Sequence, residues 1–325
     1  MNITVTGAAG FFGGNLVRAL IRDGHKVRAV VRSSTAGVDG LDLEVFRGNV
    51  CEKEDMLAAF ADADVVFHCA AVVSIQGSLG GRVEKVNVEG VKNVVDAALA
   101  CGVKKYVHIS SVHALDPAPH DEPIYETRAL CGADPHHPAY ARSKANGERA
   151  VLAAVEKGLD ACILNPSGMM GPYDFVPSPI GEALQQMRDG QIPALVNGGY
   201  NWVDVRDVAQ SAINAMTKGR AGERYLVTGH STSVRELAEA AQKVTGKRPP
   251  MFTCPLWVAQ LVAPVLVWLS TVFGVEPLFT PESLQVLGDN DDFDHSKAAS
   301  ELGHAPRPLV DTLTDTYAWM SEVGS

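Results

Sequence analysis

The stretch Ile3-Thr4-Val5-Thr6-Gly7-Ala8-Ala9-Gly10-Phe11-Phe12-Gly13 decides how the chain is read. A β-branched run breaks at a glycine, and Leu16, Val17, Leu20 and Ile21 then recur at helical spacing up to Gly24. Strand, turn and helix follow one another without a linker. Gly7 lets the chain turn tightly, Gly10 lets backbone approach a ligand with no Cβ in the way, and Gly13 lets helix and strand pack closely. The first helical turn offers free N–H groups and the positive end of the helix dipole, which suit a pyrophosphate. The pattern predicts a dinucleotide site at Gly7, Gly10, Phe11, Phe12 and Gly13.

Outward from this turn, strand-like and helix-like stretches alternate. Val27 to Val31 reads as a second strand, and Val65-Val66-Phe67 and Val107-His108-Ile109 as further ones. The periodic stretch Val83 to Leu99 lies between the last two. A long helix is expected from about Pro138 to Glu156, followed by a strand from Ala161 to Leu164. Apolar strands alternating with helices predict an α/β fold, a doubly wound parallel sheet covered on both faces. Beyond Asn165 the character changes, with Pro166, Pro172, Pro177 and Pro179 punctuating a loop-rich stretch. The expected division is a dinucleotide-binding part of residues 1–165 plus about 194–228. A smaller, mostly helical substrate part takes about 166–193 plus 229–325, at the carboxyl ends of the strands.

The 325 residues are 46% hydrophobic, enough for a large core, and carry a formal net charge of -10 at pH 7. An acidic chain without basic runs repels nucleic-acid phosphates, so no nucleic-acid partner is expected. The six cysteines are scattered without C-x-x-C spacing, which reads as free thiols in a reducing compartment. A strand beginning at Asn2 leaves no room for a leader and predicts a cytoplasmic protein. Histidines and carboxylates show no metal spacing, and the acidic run Asp289 to Asp294 lacks the glycine of a calcium loop. No Gly-x-Ser-x-Gly elbow suggests a serine hydrolase.

Leu256 to Val275 is the most apolar stretch. Pro264 and Gln260 interrupt it and Gly274 and Glu276 close it. At about 1.5 Å per residue it barely crosses ~30 Å of hydrocarbon. The expectation is a buried or cleft-lining helix pair, with membrane-surface contact as the alternative.

Two more features carry chemistry. Tyr140-Ala141-Arg142-Ser143-Lys144 puts Lys144 on the same helical face as Tyr140, where an ammonium favours the phenolate. A free tyrosine titrates near ~10, too high for easy proton exchange at neutral pH. At the end of the second strand, Arg32-Ser33-Ser34 stands where an NAD site places an acidic residue. A guanidinium there can pair with a phosphate on the ribose, which predicts NADP(H) over NAD(H), with NAD(H) still possible.

Gly-x-x-Gly-x-x-Gly preceded by Thr6, with Tyr140-x-x-x-Lys144 after a serine-bearing strand end, resembles the extended short-chain dehydrogenase/reductase family. The likeness runs along essentially the whole chain and implies a Rossmann fold. It implies Ser111, from Ser110-Ser111-Val112, as the catalytic serine, with Ser110 near the nicotinamide ribose. Asn49 and Val50 stand where the family has a Gly-Asp motif near the adenine, and the Asn49 amide oxygen can take the adenine amino group. Ala70 and Ala71 fall in the segment that lies along the cofactor, and Pro166 and Ser167 flank the nicotinamide. Asn87 matches an asparagine that supports either a proton relay or backbone geometry near Lys144. Within the family the chain looks most like dihydroflavonol reductase and 3β-hydroxysteroid dehydrogenase relatives, which implies a bulky or apolar small-molecule substrate. The resemblance also implies a homodimer, through the helices at Val83–Leu99 and Tyr140–Glu156. The competing expectations are a nucleotide-sugar epimerase or dehydratase, with Arg206, Arg235 and Arg248 available for a diphosphate, and a non-catalytic dinucleotide sensor.

Overall fold

Alternating side chains in the first strand set the architecture: Ile3 and Val5 face one layer of helices, and Thr4 and Thr6 face the other. The protein was analysed as a computed structural model that describes residues 1–324 apart from 135, 193 and 274–279, with side chains at 266 and 268–273 also outside the description. In chain order the strands are β1 (Asn2–Thr6), β2 (Lys26–Val31), β3 (Glu44–Arg47), β4 (Val65–His68), β5 (Lys105–Ile109) and β6 (Ala161–Pro166). Next come β7 (Gly168–Met170), β8 (Leu195–Val196), β9 (Gly199–Asp204), β10 (Arg224–Val227), β11 (His230–Ser233) and β12 (Thr253–Cys254).

Seven of these form one parallel sheet in the order β3-β2-β1-β4-β5-β6-β10. The order reverses between β1 and β4, and the crevice at their carboxyl ends is where a doubly wound sheet binds ligands. A three-stranded sheet, β7-β9-β11, and the short pair β8-β12 lie beyond it.

The helices are α1 (Phe11–Arg22), α2 (Lys53–Phe60), α3 (Arg82–Glu84), α4 (Gly90–Ala100), α5 (Ala139–Val155) and α6 (Pro179–Asp189). They continue with α7 (Val205–Lys218), α8 (Val234–Thr245), α9 (Leu256–Phe273), α10 (Pro281–Val286), α11 (Ser296–Leu302) and α12 (Leu309–Glu322). A π-helical turn, Lys85–Glu89, joins α3 to α4, so the stretch expected as one helix is continuous but locally widened and underwound. On one face of the sheet α1 and α7 pack together through Leu16, Leu20, Val208 and Ala212. Ala298 and Leu302 of α11 join that same core, although α11 comes late in the chain. On the other face α2, α4 and α5 contribute Phe60, Val94 and Val151. A separate core between α6, α8 and α12 is built on Leu184, Leu237 and Leu313.

The apolar stretch departs from expectation. From Leu256 to Phe273 it is one helix that runs through Pro264, not a pair. Among its described side chains, a narrow face with Ala263 fully buried, flanked by Leu256 and Ala259, packs against Val196 and Leu284. Trp257, Leu261, Val262 and Val265 face solvent, and none of them lines the cleft described below. The ending expected at Gly274 to Glu276 lies outside the described residues. Among the described residues no helix is long and apolar enough to cross a membrane.

Candidate active site

The glycine turn is shaped by close backbone approach. Gly7 has φ +67°, and a Cβ on it would sit 2.6 Å from the Ala70 nitrogen. A Cβ on Gly13 would lie 2.2 Å from the Gly7 carbonyl oxygen. Ala70 therefore belongs to the packing beneath the turn, whereas Ala71 lines the open cleft together with Gly10, Phe11 and Phe12. The α1 N-terminus has no side-chain cap and no acidic residue in its first turn. Its leading N–H groups are left for an anion, and the cradle fits a dinucleotide pyrophosphate.

At the far end of the same crevice Arg32 is exposed and has no bonded partner among the described residues. Parallel pairing sets Val31 of β2 against Arg47 of β3, and Arg47 donates to the Ser33 carbonyl at 2.9 Å. A second guanidinium thus flanks Arg32, a neighbour invisible without the strand order. Asn49 is partly committed: its amide oxygen accepts from the Cys51 N–H at 3.1 Å, and its own N–H is held by Asp55 at 2.8 Å. One lone pair of that oxygen remains for an adenine amino group. Val50 is buried beneath it and packs against Gly90 at the start of α4.

At the centre, Ser111, Tyr140 and Lys144 converge on one cleft of about 560 Å³. The Ser111 hydroxyl is near enough to Tyr140 to draw its titration downward. Ser111 is fixed from two sides: its Oγ accepts from the His113 N–H at 3.2 Å, and its carbonyl accepts from Asn165 Nδ2 at 2.8 Å. Lys144 Nζ donates to the Ile109 carbonyl at 2.8 Å.

The expected depression of the tyrosine is not found. Burial pushes Tyr140 up to about 12, which outweighs the downward pull of the Ser111 hydroxyl. Lys144 is itself brought down to about 8 by burial, only partly offset by the Glu148 carboxylate. Tyr140 therefore stands ready as a neutral donor rather than as a phenolate.

Ser110 lines the same cleft, and its hydroxyl donates to Glu148 Oε1 at 2.5 Å, so toward a ribose hydroxyl it can act as an acceptor. Glu148, one turn beyond Lys144 on α5, is fully buried and also takes Asn165 Nδ2 at 2.6 Å and Arg224 Nε at 2.7 Å. This carboxylate locks β5, α5, β6 and β10 behind the catalytic face, and its spacing after Tyr140-x-x-x-Lys144 was the only sequence signal for it. Asn87 spends its amide on structure. Its Oδ1 accepts from Val72 N at 2.8 Å, and its Nδ2 donates to the Val72 carbonyl at 2.9 Å and to Ser143 Oγ at 3.0 Å. It pins the segment after β4 to α5 and acts on backbone geometry.

The outer cleft was not readable from sequence. Tyr200 OH and His113 Nε2 are 2.7 Å apart in its wall, and the His113 ring meets Tyr140 edge-on. Burial lowers His113 to about 4, so it is a neutral imidazole at pH 7. Pro166 and Ser167 line the inner end, where the Ser167 hydroxyl is buried with no partner among the described residues. Two hydrogen bonds tie the segment after β4 to the start of α10: Thr280 Oγ1 to the Ile75 carbonyl at 2.7 Å, and Gly77 N–H to Glu282 at 3.2 Å.

The pattern of the NAD dependent epimerase/dehydratase family matches residues 3–228. The chain belongs to this family.

Members similar along the full chain include Sterol demethylase protein B of Methylococcus capsulatus, 33% identical over 100% of this chain and 99% of its own. A putative dihydroflavonol 4-reductase of Synechocystis is 31% identical over 98% of this chain and 94% of its own. Among solved structures, gox2253 superposes with a TM-score of 0.85 at 34% identity, covering 99% of this chain and 98% of its own. The UDP-glucose 4-epimerase of Thermotoga maritima, at TM-score 0.80 and 23% identity over the whole of both chains, shares the fold. As a family member, the chain is an NAD(P)-dependent oxidoreductase of the extended short-chain type acting on a small molecule.

Proposed function

We propose that the protein reduces a carbonyl on a bulky, largely apolar small molecule, using NADP(H). One observation carries this reading: among the described residues lining the cleft, Lys144 is the sole lysine or arginine. A sugar nucleotide needs cations for its diphosphate. Arg206 is instead paired with Asp204 and Asp315, and Arg235 with the Met251 carbonyl and Thr253. Arg248 lies at a separate pocket between α6 and α8. The cleft wall is apolar, with Val73, Ile75, Leu115, Met169, Ile180 and Val286 contributing. Similar proteins named as a 3-beta-hydroxysteroid dehydrogenase and a farnesyl-quinoline-oxide ketoreductase support the same substrate class.

Bound nicotinamide supplies the hydride. The Ser111 hydroxyl holds the substrate oxygen, and neutral Tyr140 gives that oxygen its proton. Lys144, one turn along α5, stabilises with its positive charge the phenolate that proton donation leaves on Tyr140, and reaches the ribose hydroxyls. The helices α4 and α5 present the surface through which two copies pair. The cell compartment is the cytoplasm. Oxidation of added NADPH in the presence of aryl or alicyclic ketones tests the activity, and silent conversion of a UDP-sugar with no NADPH oxidation would overturn it.

Arg32 and Arg47 together favour the ribose phosphate. Arg32→Asp is expected to weaken NADPH binding by about 10- to 100-fold and leave NADH binding nearly unchanged, read by fluorescence titration. Tighter NADH than NADPH binding by the unaltered protein would refute the preference.

The alkaline side of the activity profile follows Lys144. Its folded pKa is lowered to about 8 from an ordinary 10.5, so its charge is lost as the pH rises through 8. Between pH 8 and 10.5 the unfolded chain holds the extra proton, so this residue's contribution to stability rises with pH while activity falls. Lys144→Arg keeps the cation at all these values and is expected to shift the falling limb of kcat/KM upward.

A further inference from the structure

We propose that α9 and the strand before it form a docking face for an anionic phospholipid surface. Along α9 the residues Trp257, Leu261 and Val265 follow one another at single-turn spacing on one face. Trp257 is 69% exposed and Leu261 72% exposed, and the opposite face, through Ala263, already occupies the protein's own core. A helix apolar all round is ordinarily covered on every side, and here, among the described residues, nothing covers the side that carries Trp257, Leu261 and Val265.

Met251 and Phe252 extend the same apolar surface, with Met251 98% exposed. They do not belong to a loose tail. Arg235 donates to the Met251 carbonyl at 3.2 Å, Leu195 N–H bonds the Phe252 carbonyl at 3.2 Å, and β12 pairs in register with β8. The exposure is built into the fold.

Charge identifies the occupant. From Lys247 to Phe273 the sequence holds Lys247 and Arg248 and not one acidic residue, in a chain whose net charge is -10. Two cations immediately ahead of Met251 and Phe252, with Trp257 at the start of the helix, match the headgroup and interfacial layers of an anionic bilayer. A second copy seated face to face would bring two such cationic pairs together, which disfavours self-association. The location suits an apolar substrate. α9 packs on α10, and Ser283 and Val286 of α10 line the cleft, so one helix separates the docking face from the reaction chamber. That delivery role rests on the proposed function; membrane binding itself does not.

The test is co-sedimentation of the full chain with vesicles of phosphatidylcholine alone and of phosphatidylcholine mixed with phosphatidylglycerol, with oligomeric state followed by analytical ultracentrifugation. Binding is expected to the mixed vesicles and to weaken with salt. Leu261→Asp should lower the partition coefficient at least about tenfold. The double change K247E/R248E should lower it by a similar factor on mixed vesicles only. Both alter exposed positions, so an unchanged melting temperature is expected. Absence of binding by the unaltered protein to either vesicle overturns the proposal. Equal binding to both vesicles overturns the anionic assignment. A dimer that Leu261→Asp dissociates, without vesicle binding, assigns the face to a second copy instead. Vesicle binding by a protein that oxidises no NADPH with any ketone would sustain the docking face and remove only the reductase reading.

Discussion

Replacing Tyr140 by Phe is expected to lower carbonyl reduction by about 10²- to 10⁴-fold while NADPH affinity stays within a few-fold. The phenyl ring keeps the shape of the cleft wall, and the α5 backbone that carries Lys144 is unaltered. What disappears is the proton for the nascent alkoxide. Since burial holds Tyr140 protonated up to about 12, the unaltered enzyme has this proton in place at every physiological pH. In reduction Tyr140 gives up this proton, and in the reverse reaction the same group, once deprotonated, takes it back. Single-turnover kinetics with a saturating ketone, alongside NADPH titration, provide the measurement. Retained turnover in Y140F would place proton delivery on another group, and the Tyr200–His113 pair would be the next to alter.

The second large effect is expected at Glu148. Truncation to Ala leaves Arg224 without its carboxylate in a largely buried position and removes the acceptor shared by Ser110 and Asn165. Breaking a buried ion pair from one side costs about 3–5 kcal/mol, because the surviving charge is stranded. Urea denaturation of E148A should show this loss, and the double variant E148A/R224M should recover a good part of it. Glu148→Gln keeps the shape and tests charge alone. Because the carboxylate holds Lys144 up against the downward pull of burial, the alkaline limb of the activity profile should move to lower pH in E148Q. A purely structural role would lower stability and leave that limb in place.

What could be read from the sequence was what local physics encodes. The strand, glycine turn and helix at Ile3 to Gly13 are contiguous, so their meaning survives without knowledge of the rest. The same holds for Tyr140 and Lys144, which one helical turn brings together. Glu148 stands at the same spacing from Lys144 and reads as a surface i,i+4 pair. Its burial depends on Arg224, 76 residues away on the outermost strand of the sheet. Resemblance to the family's Ser-Ser pair implies Ser110 near the ribose, but no local pattern foretells that the same buried carboxylate takes its proton. Arg47 needed the pairing of β3 with β2, a relation absent from local pattern. Pro264, Gln260 and a length that barely crosses a bilayer argue for a buried or cleft-lining helix pair at α9. Among the described residues, however, the α6-α8-α12 core closes on Leu184, Leu237 and Leu313 without it, and Trp257, Leu261, Val262 and Val265 are left exposed.

The two hydrogen bonds that join the segment after β4 to α10, Thr280 Oγ1 donating to the Ile75 carbonyl and Gly77 N–H donating to Glu282, have a thermodynamic consequence. One strip of backbone borders the dinucleotide crevice on one side and, through those bonds, the substrate wall on the other. Whatever ordering the first ligand imposes on that strip lowers the ordering cost for the second. By linkage the favour is mutual: the factor by which dinucleotide tightens substrate binding is the factor by which substrate tightens the dinucleotide.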